Sequence, residues 1–127
     1  MTMMGIIFMN KKYKILCFDL DNVICKTFKS NYFKSKPIKK NINFINDLYS
    51  EGYIIKIFTA RGMGRSKDNV NIAKKKFELR TKKQLKKWNL KYHNLILGKP
   101  SYDIFIDDKN LGFKKNWVEL LKRELKY

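Results

Sequence analysis

Two aspartates follow directly on an apolar run in the stretch "ILCFDLDNVICKT". Asp19 and Asp21 flank Leu20, and alternate residues of a strand point to the same face, so the two carboxylates are expected about one pleat apart. Like charges that close repel unless a cation or a proton lies between them. The pair therefore indicates either an exposed strand end or a chemical site.

Polar residues also end the other strands that the sequence predicts. Apolar, β-branched or aromatic runs predict strands at 15–18, 53–58, 94–98 and 102–106. The polar residues that follow these strands are, in chain order, Asp19 and Asp21, Thr59, Lys99, and Asp107 and Asp108. Such a convergence is much less expected by chance than any single pair.

Helices are predicted between these strands. Pro37 suits the first position of one helix, which Gly52 ends. Ser66 can cap a long second helix, and a third carries an apolar face from Trp117 to Leu125. The order β, α, β, α, β, β, α predicts an α/β fold with a parallel sheet covered by helices on both faces. In such sheets a ligand binds outside the carboxyl ends of the strands.

The residues at this edge have the chemistry of a phosphoryl site. Carboxylates suit Mg²⁺, which prefers a few oxygen ligands and keeps its waters. Thr59 and Lys99 are instead donors, and donors beside a metal favour an anion. An aspartate can form an aspartyl-phosphate, and a second carboxylate can protonate the leaving oxygen and then activate water.

The composition is that of one globular domain. The chain has 127 residues, of which 44% are hydrophobic, enough for one core but not two. Two cysteines make no disulfide framework, which indicates a reducing, cytoplasmic setting, and Cys17 within the first strand is expected to be buried. The apolar run near the N-terminus is too short to span a membrane, so membrane anchoring and export are not expected.

The net charge of +18 is the strongest bulk feature and suggests binding to polyanions. The 29 basic residues are 25 lysines and 4 arginines, and asparagine and isoleucine are abundant as well. That joint excess resembles a coding bias spread over every solvated face. No segment combines arginines and aromatics as a nucleic-acid groove would, so nucleic-acid binding is not favoured.

The motifs "DLDNV", "FTARG", "GKP" and "IDD" resemble, in order and spacing, the four motifs of the haloacid dehalogenase (HAD) superfamily of phosphatases. The wording is most similar to the small capsule-biosynthesis phosphatases of that superfamily. The resemblance implies a single Rossmann-like domain over 1–127 and a Mg²⁺ cofactor. By this resemblance Asp19 would be the nucleophile and a metal ligand, and Asp21 would be the general acid/base with its backbone carbonyl on the metal. Thr59 would hold the transferring phosphoryl group and Lys99 would neutralise it. Asp107 would complete the metal site, and Asp108 would support the direct metal ligands or bind the metal through a water.

One position departs from that pattern. Many members have Gly-Thr or Asn-Thr after the second aspartate, where this chain has Asn22 and Val23. Asparagine tolerates the left-handed turn that the loop needs, so the loop can still form. Arg61 and Arg65 follow Thr59 in a glycine-containing loop and are candidates to bind a second anionic group of the substrate. Ordinary solvent exposure is the alternative for both.

The intervals between motifs limit the substrate. The first holds one helix and a short flap at 24–36, and the second holds one long helix, so neither has room for a cap domain. An open site admits a bulky substrate, or a small one enclosed by a neighbouring subunit. The resemblance favours a phosphorylated sugar or sugar derivative of surface-polysaccharide synthesis. A polynucleotide 3′-phosphatase and a non-catalytic basic nucleic-acid-binding module are the alternatives.

Overall fold

The computed structural model describes residues 13–126, which form one small α/β domain. Three parallel strands make the main sheet, in the order β1 (Ile15–Asp19), β4 (Ile54–Thr59), β5 (Asn94–Leu97). Each crossover contains one helix, α1 (Lys39–Ser50) or α2 (Val70–Lys87), and α3 (Trp117–Leu125) follows the sheet. No helix in the described part of the chain is long and apolar enough to cross a membrane.

The predicted flap is a small β-hairpin. The two-residue strands β2 (Cys25–Lys26) and β3 (Lys36–Pro37) pair antiparallel, and a turn of 3₁₀ helix at Tyr32–Lys34 lies between them. Pro37 thus belongs to a strand and does not begin α1 as predicted. Its fixed φ suits extended backbone as well as a first helical turn, and Ile38 follows it as the N-cap.

The core lies on one face of the sheet. Side chains on that face of the strands, such as Phe18 and Ile57, share a buried cluster with residues of all three helices. The opposite face exposes Ile15, Cys17 and Ile96. The predictions of helices on both faces and of a buried Cys17 are therefore wrong for the described residues, because all three helices contribute to the core on the one face and Cys17 lies on the other.

The predicted fourth strand at 102–106 is not formed. The segment has no strand pairing and lies at the surface, with Ile104 and Ile106 80% and 91% exposed. Strand propensity reflects packing against neighbouring strands more than a preference of the backbone itself. Among the described residues β1 pairs with β4 alone, so the segment 102–106 is not hydrogen-bonded to the sheet and its apolar run does not form a strand.

The loop after β4 places the start and the cap of the long helix later in the chain than the sequence predicts. Ser66 was predicted to cap the long helix, but its hydroxyl donates to the carbonyl of Gly62. Lys67 and Asp68 have left-handed backbone (φ +51° and +59°), which separates the short 3₁₀ turn from α2. The cap is therefore Asn69, whose side chain accepts a hydrogen bond from the Ile72 backbone N–H at 3.1 Å.

Gly62→Ala should lower the free energy of unfolding. Gly62 has φ +80°, and an added Cβ would lie 2.5 Å from Cδ2 of Phe77. Left-handed backbone alone costs an L-residue about 1–2 kcal/mol, and Phe77 must also move. Urea denaturation measures the change. Gly112→Ala is the control, because an added Cβ there meets nothing within 4 Å; equal stability of the two variants would contradict this account.

Candidate active site

Parallel pairing brings three of the predicted site residues to one edge of the sheet. Asp19 is in register with Phe58, next to Thr59, and Thr59 is in register with Leu97, two residues before Lys99. The Lys99 backbone N–H donates to the Thr59 carbonyl at 3.2 Å. The structure therefore places Asp19, Thr59 and Lys99 together, as the strand ends predicted.

Asp19 and Lys99 form an ion pair, with 3.5 Å between Oδ2 and Nζ. The other oxygen of Asp19 accepts the Leu20 backbone N–H at 2.9 Å. Burial raises the pKa of Asp19 and outweighs the opposing charge of Lys99. Burial also disfavours charge on Lys99, yet a hydrogen bond with Tyr102 and the charge of Asp19 together raise its pKa. Both pKa values thus rise, which leaves Lys99 a cation beside a partly exposed carboxylate.

Thr59 is buried at the end of β4, with 1% of its surface exposed. Its hydroxyl oxygen accepts the Arg61 backbone N–H at 3.1 Å. That bond uses an acceptor site of the hydroxyl and leaves its O–H as a donor. Thr59 can therefore donate to an anion placed at the sheet edge.

The Asp21 carboxylate is engaged by side chains on both of its oxygens. Arg61 donates from Nε to Oδ2 at 3.0 Å and from Nη2 to Oδ1 at 2.9 Å, and Thr27 donates to Oδ1 at 2.5 Å. The turn after Asp21 forms as predicted, because Asn22 adopts φ +66°. Its side chain accepts the Thr27 backbone N–H at 3.1 Å, which fixes the hairpin against the end of β1.

Arg61 lies in the interior rather than at the rim. Its side chain is completely buried, and its remaining Nη1 donates to Gln84 at 2.6 Å and to Thr81 at 3.3 Å. With every nitrogen committed inside the protein, the guanidinium does not face an incoming substrate. The substrate-binding role predicted for Arg61 does not fit this geometry.

Aromatic rings cover the same guanidinium. The Arg61 guanidinium carbon lies 5.1 Å from the ring centre of Tyr32 and 5.7 Å from that of Phe33. Phe33 stacks on Phe77 of α2, with 6.1 Å between ring centres and 12° between planes. We call Tyr32, Phe33 and Phe77 the aromatic clamp.

Sequence reasoning missed the aromatic clamp, Thr27, Thr81 and Gln84. The sequence carried one signal for this cluster, which is the small number of arginines. Of the four in the chain, three contact the clamp, namely Arg61, Arg65 and Arg80. In a chain that uses lysine almost everywhere, these three arginines mark places where a planar, stacking cation is needed.

Arg65 is exposed, as its predicted position at the rim implies. Its guanidinium lies 5.1 Å from the Tyr32 ring centre and 5.6 Å from that of Phe77, and it donates to the Ser30 carbonyl. Arg61 and Arg65 both contact Tyr32. Arg65 thus ties the loop after β4 to the hairpin, and its exposure leaves it accessible to an anion.

The predicted metal ligands are not gathered. Asp107 and Asp108 lie in the exposed segment after Tyr102, where the Lys109 backbone N–H donates to Asp107 and lowers its pKa. Across residues 13–126, no group of three or more His, Cys, Asp or Glu side chains could hold a metal ion. With Asp21 paired to Arg61 and 102–106 unpaired, the residues as arranged do not fit a complete Mg²⁺ site.

A solved structure shares this fold. The chain superimposes on a crystal structure of a structural-genomics target from Vibrio cholerae with a TM-score of 0.72 and 24% sequence identity, covering 87% of this chain and 98% of that one. At that identity the likeness shows the fold alone. No protein family matches the chain, and no curated protein matches it.

Asp19→Asn should raise the melting temperature near neutral pH. Because burial raises the pKa of Asp19 above its ordinary value of 3.8, the folded protein holds this proton more tightly than the unfolded chain. The stability that this provides is present below pH 3.8 and is lost as pH rises through the raised pKa. Asparagine is neutral throughout, so the advantage of the variant should grow over that window.

Melting curves between acid and neutral pH measure this difference. Asp103→Asn is the matched control, because Asp103 is exposed, and its melting temperature should follow the wild type. An Asp19→Asn variant that melts below the wild type at neutral pH would show that the ion pair with Lys99 outweighs burial.

Proposed function

We propose that this protein is a phosphatase that hydrolyses phosphomonoesters through an aspartyl-phosphate on Asp19. The observation that carries the proposal is the placement of a partly exposed Asp19 carboxylate 3.5 Å from the Lys99 ammonium, with Thr59 at the end of the neighbouring strand, where its carbonyl accepts the Lys99 backbone N–H. A nucleophile flanked by a cation and a hydroxyl donor suits a phosphoryl group, whose transfer depends mainly on positioning and charge neutralisation.

The proposed reaction has two steps. A carboxylate oxygen of Asp19 attacks phosphorus, the bond from phosphorus to the ester oxygen breaks, and that oxygen leaves with a proton as an alcohol. Water then attacks the phosphoryl group on Asp19, which releases inorganic phosphate and restores the carboxylate. Lys99 and Thr59 bind the phosphoryl oxygens. Asp21 supplies the proton in the first step and accepts one from water in the second.

We further propose that the chain is a HAD-like hydrolase without a cap domain. Four motifs support this, together with a small parallel sheet whose only insertion between β1 and α1 is the hairpin. The hairpin covers Arg61 and Asp21 but not Asp19, whose side chain is 39% exposed. Such an open edge admits the sugar phosphates that the resemblance favours when a neighbouring subunit encloses them.

A polynucleotide 3′-phosphatase is the second candidate. Exposed lysines along α2 favour it, because a cationic helix next to an open site would attract a nucleic-acid backbone. These lysines are Lys74, Lys75, Lys76, Lys82, Lys83, Lys86 and Lys87. A non-catalytic basic binding module is the third, and it predicts binding to nucleic acid without phosphate release.

Phosphate release should be faster from sugar phosphates than from 3′-phosphorylated oligonucleotides, assayed in parallel with Mg²⁺. Chelator should abolish the activity. That outcome requires Asp107 to move towards Asp19, because the arrangement of residues 13–126 provides no complete Mg²⁺ site. Faster release from the oligonucleotide would favour the polynucleotide 3′-phosphatase. Binding to the oligonucleotide without hydrolysis would favour the non-catalytic binding module. Full activity in chelator would overturn the Mg²⁺ requirement.

Asp19→Asn should abolish turnover at every pH, because the amide cannot form a phosphoenzyme. Asp21→Asn should still be phosphorylated by an aryl phosphate, whose leaving group needs no proton, and then turn over slowly. With an alkyl leaving group, the loss of proton transfer should cost about 10²–10⁴-fold in rate. Mass spectrometry after mixing should find a phosphoryl adduct on Asp21→Asn only. An adduct on Asp19→Asn would show that Asp19 is not the nucleophile.

A further inference from the structure

We infer that Arg61 is a positioning residue for Asp21, held in place by the aromatic clamp, and not a residue that binds substrate. The inference rests on the proposed function, in which Asp21 transfers protons. It concerns how a loop at the end of β4 and a hairpin after β1 jointly set the orientation of one carboxylate.

The two hydrogen bonds between Arg61 and Asp21 fix the orientation of the carboxylate as well as its distance from the guanidinium. Two parallel N–H···O bonds, at 3.0 and 2.9 Å, make the planes of guanidinium and carboxylate coincide, which a single ammonium cannot do. Thr27 of the hairpin adds a third bond, to Oδ1. The orientation of Asp21 therefore depends on where Arg61 and the hairpin lie.

Arg61 is itself held from several sides. Gln84 and Thr81 of α2 accept from Nη1, and the rings of Tyr32 and Phe33 lie over the guanidinium. Gln84 also donates to the Tyr32 backbone carbonyl at 2.9 Å. The same glutamine thus bonds both the guanidinium and the hairpin that covers it.

Two further arginines, Arg80 and Arg65, contact the rings of the clamp. Arg80 of α2 lies 3.7 Å from the ring centre of Phe33, and Arg65 lies 5.1 Å from that of Tyr32. Cation–π contacts of this kind stabilise a ring between charged planes. Displacing Tyr32 and Phe33 would break these contacts and open the cover over Arg61.

The number of arginines makes this arrangement directly observable. Only four arginines exist in the chain, so an NMR spectrum of Nε–H groups contains at most four signals, and loss of a signal in Arg61→Lys assigns it. In the wild type the Arg61 Nε–H should exchange slowly with water, because it is buried and bonded to Asp21. In Asp21→Asn and in the double variant Tyr32→Leu/Phe33→Leu the exchange should be faster.

Kinetics separate positioning from substrate binding. Arg61→Lys keeps the charge but loses the two-bond geometry, and a misplacement of about 1 Å can cost about 10²-fold in rate. We expect kcat for an alkyl phosphate to fall by up to about that factor, kcat for an aryl phosphate to fall much less, and KM to stay within about twofold. The clamp double variant should show the same pattern, more weakly. Arg123→Lys, in α3 on the surface, is the control that should match the wild type.

Two results would overturn the inference. One is a rise in KM with kcat unchanged in Arg61→Lys, which is the signature of a substrate-binding residue. The other is an Arg61 Nε–H signal whose exchange the clamp double variant leaves unaltered. If the wild type hydrolyses no phosphomonoester, the proposed function fails, while the exchange measurements still decide whether the clamp holds Arg61 on Asp21.

Discussion

The buried guanidinium of Arg61 determines how the hairpin, the edge of the sheet and α2 are arranged around it. Arg61 cannot lose its charge inside a protein, so each of its N–H groups needs an acceptor nearby. Those acceptors come from the end of β1 (Asp21) and from α2 (Gln84, Thr81), while the hairpin supplies the cover. Removing one partner of such a buried pair typically costs about 3–5 kcal/mol. The hairpin, the sheet edge and α2 must therefore keep one mutual arrangement.

The distribution of basic residues separates composition from function. Lysines cover the solvated faces and follow the general bias of the chain, which argues for no particular site. Three of the four arginines occur where a flat cation stacks on a ring or bonds twice, as in Arg61 and Arg80. A net charge of +18 is therefore less informative than the position of three arginines among four. Lys99, for which we propose a role in phosphoryl binding, differs from the exposed lysines in its burial and its ion pair with Asp19.

The sequence predicted the part of the site that depends on strand ends, because parallel strands deliver their last residues to one edge whatever the loops do. Asp19, Thr59 and Lys99 lie there as expected. It failed where a residue type suits two structures. Pro37 fits a helix start and an extended strand equally, and a short apolar run such as 102–106 is a strand only beside a partner. Contacts such as Tyr32 on Arg61 join residues distant in sequence, and no local pattern encodes them.

The two aspartates that flank Leu20 end in different surroundings, and that difference bears on their roles. Asp19 is partly exposed beside a lysine, where a substrate can reach it, while both oxygens of Asp21 are bonded under the hairpin. Two carboxylates in one site take separate tasks when their environments differ. A nucleophile, the role we propose for Asp19, needs access to phosphorus, and the proton transfer that we propose for Asp21 needs a fixed direction. The hairpin fixes the direction of Asp21 without blocking access to Asp19, because it covers Arg61 and leaves the end of β1 open.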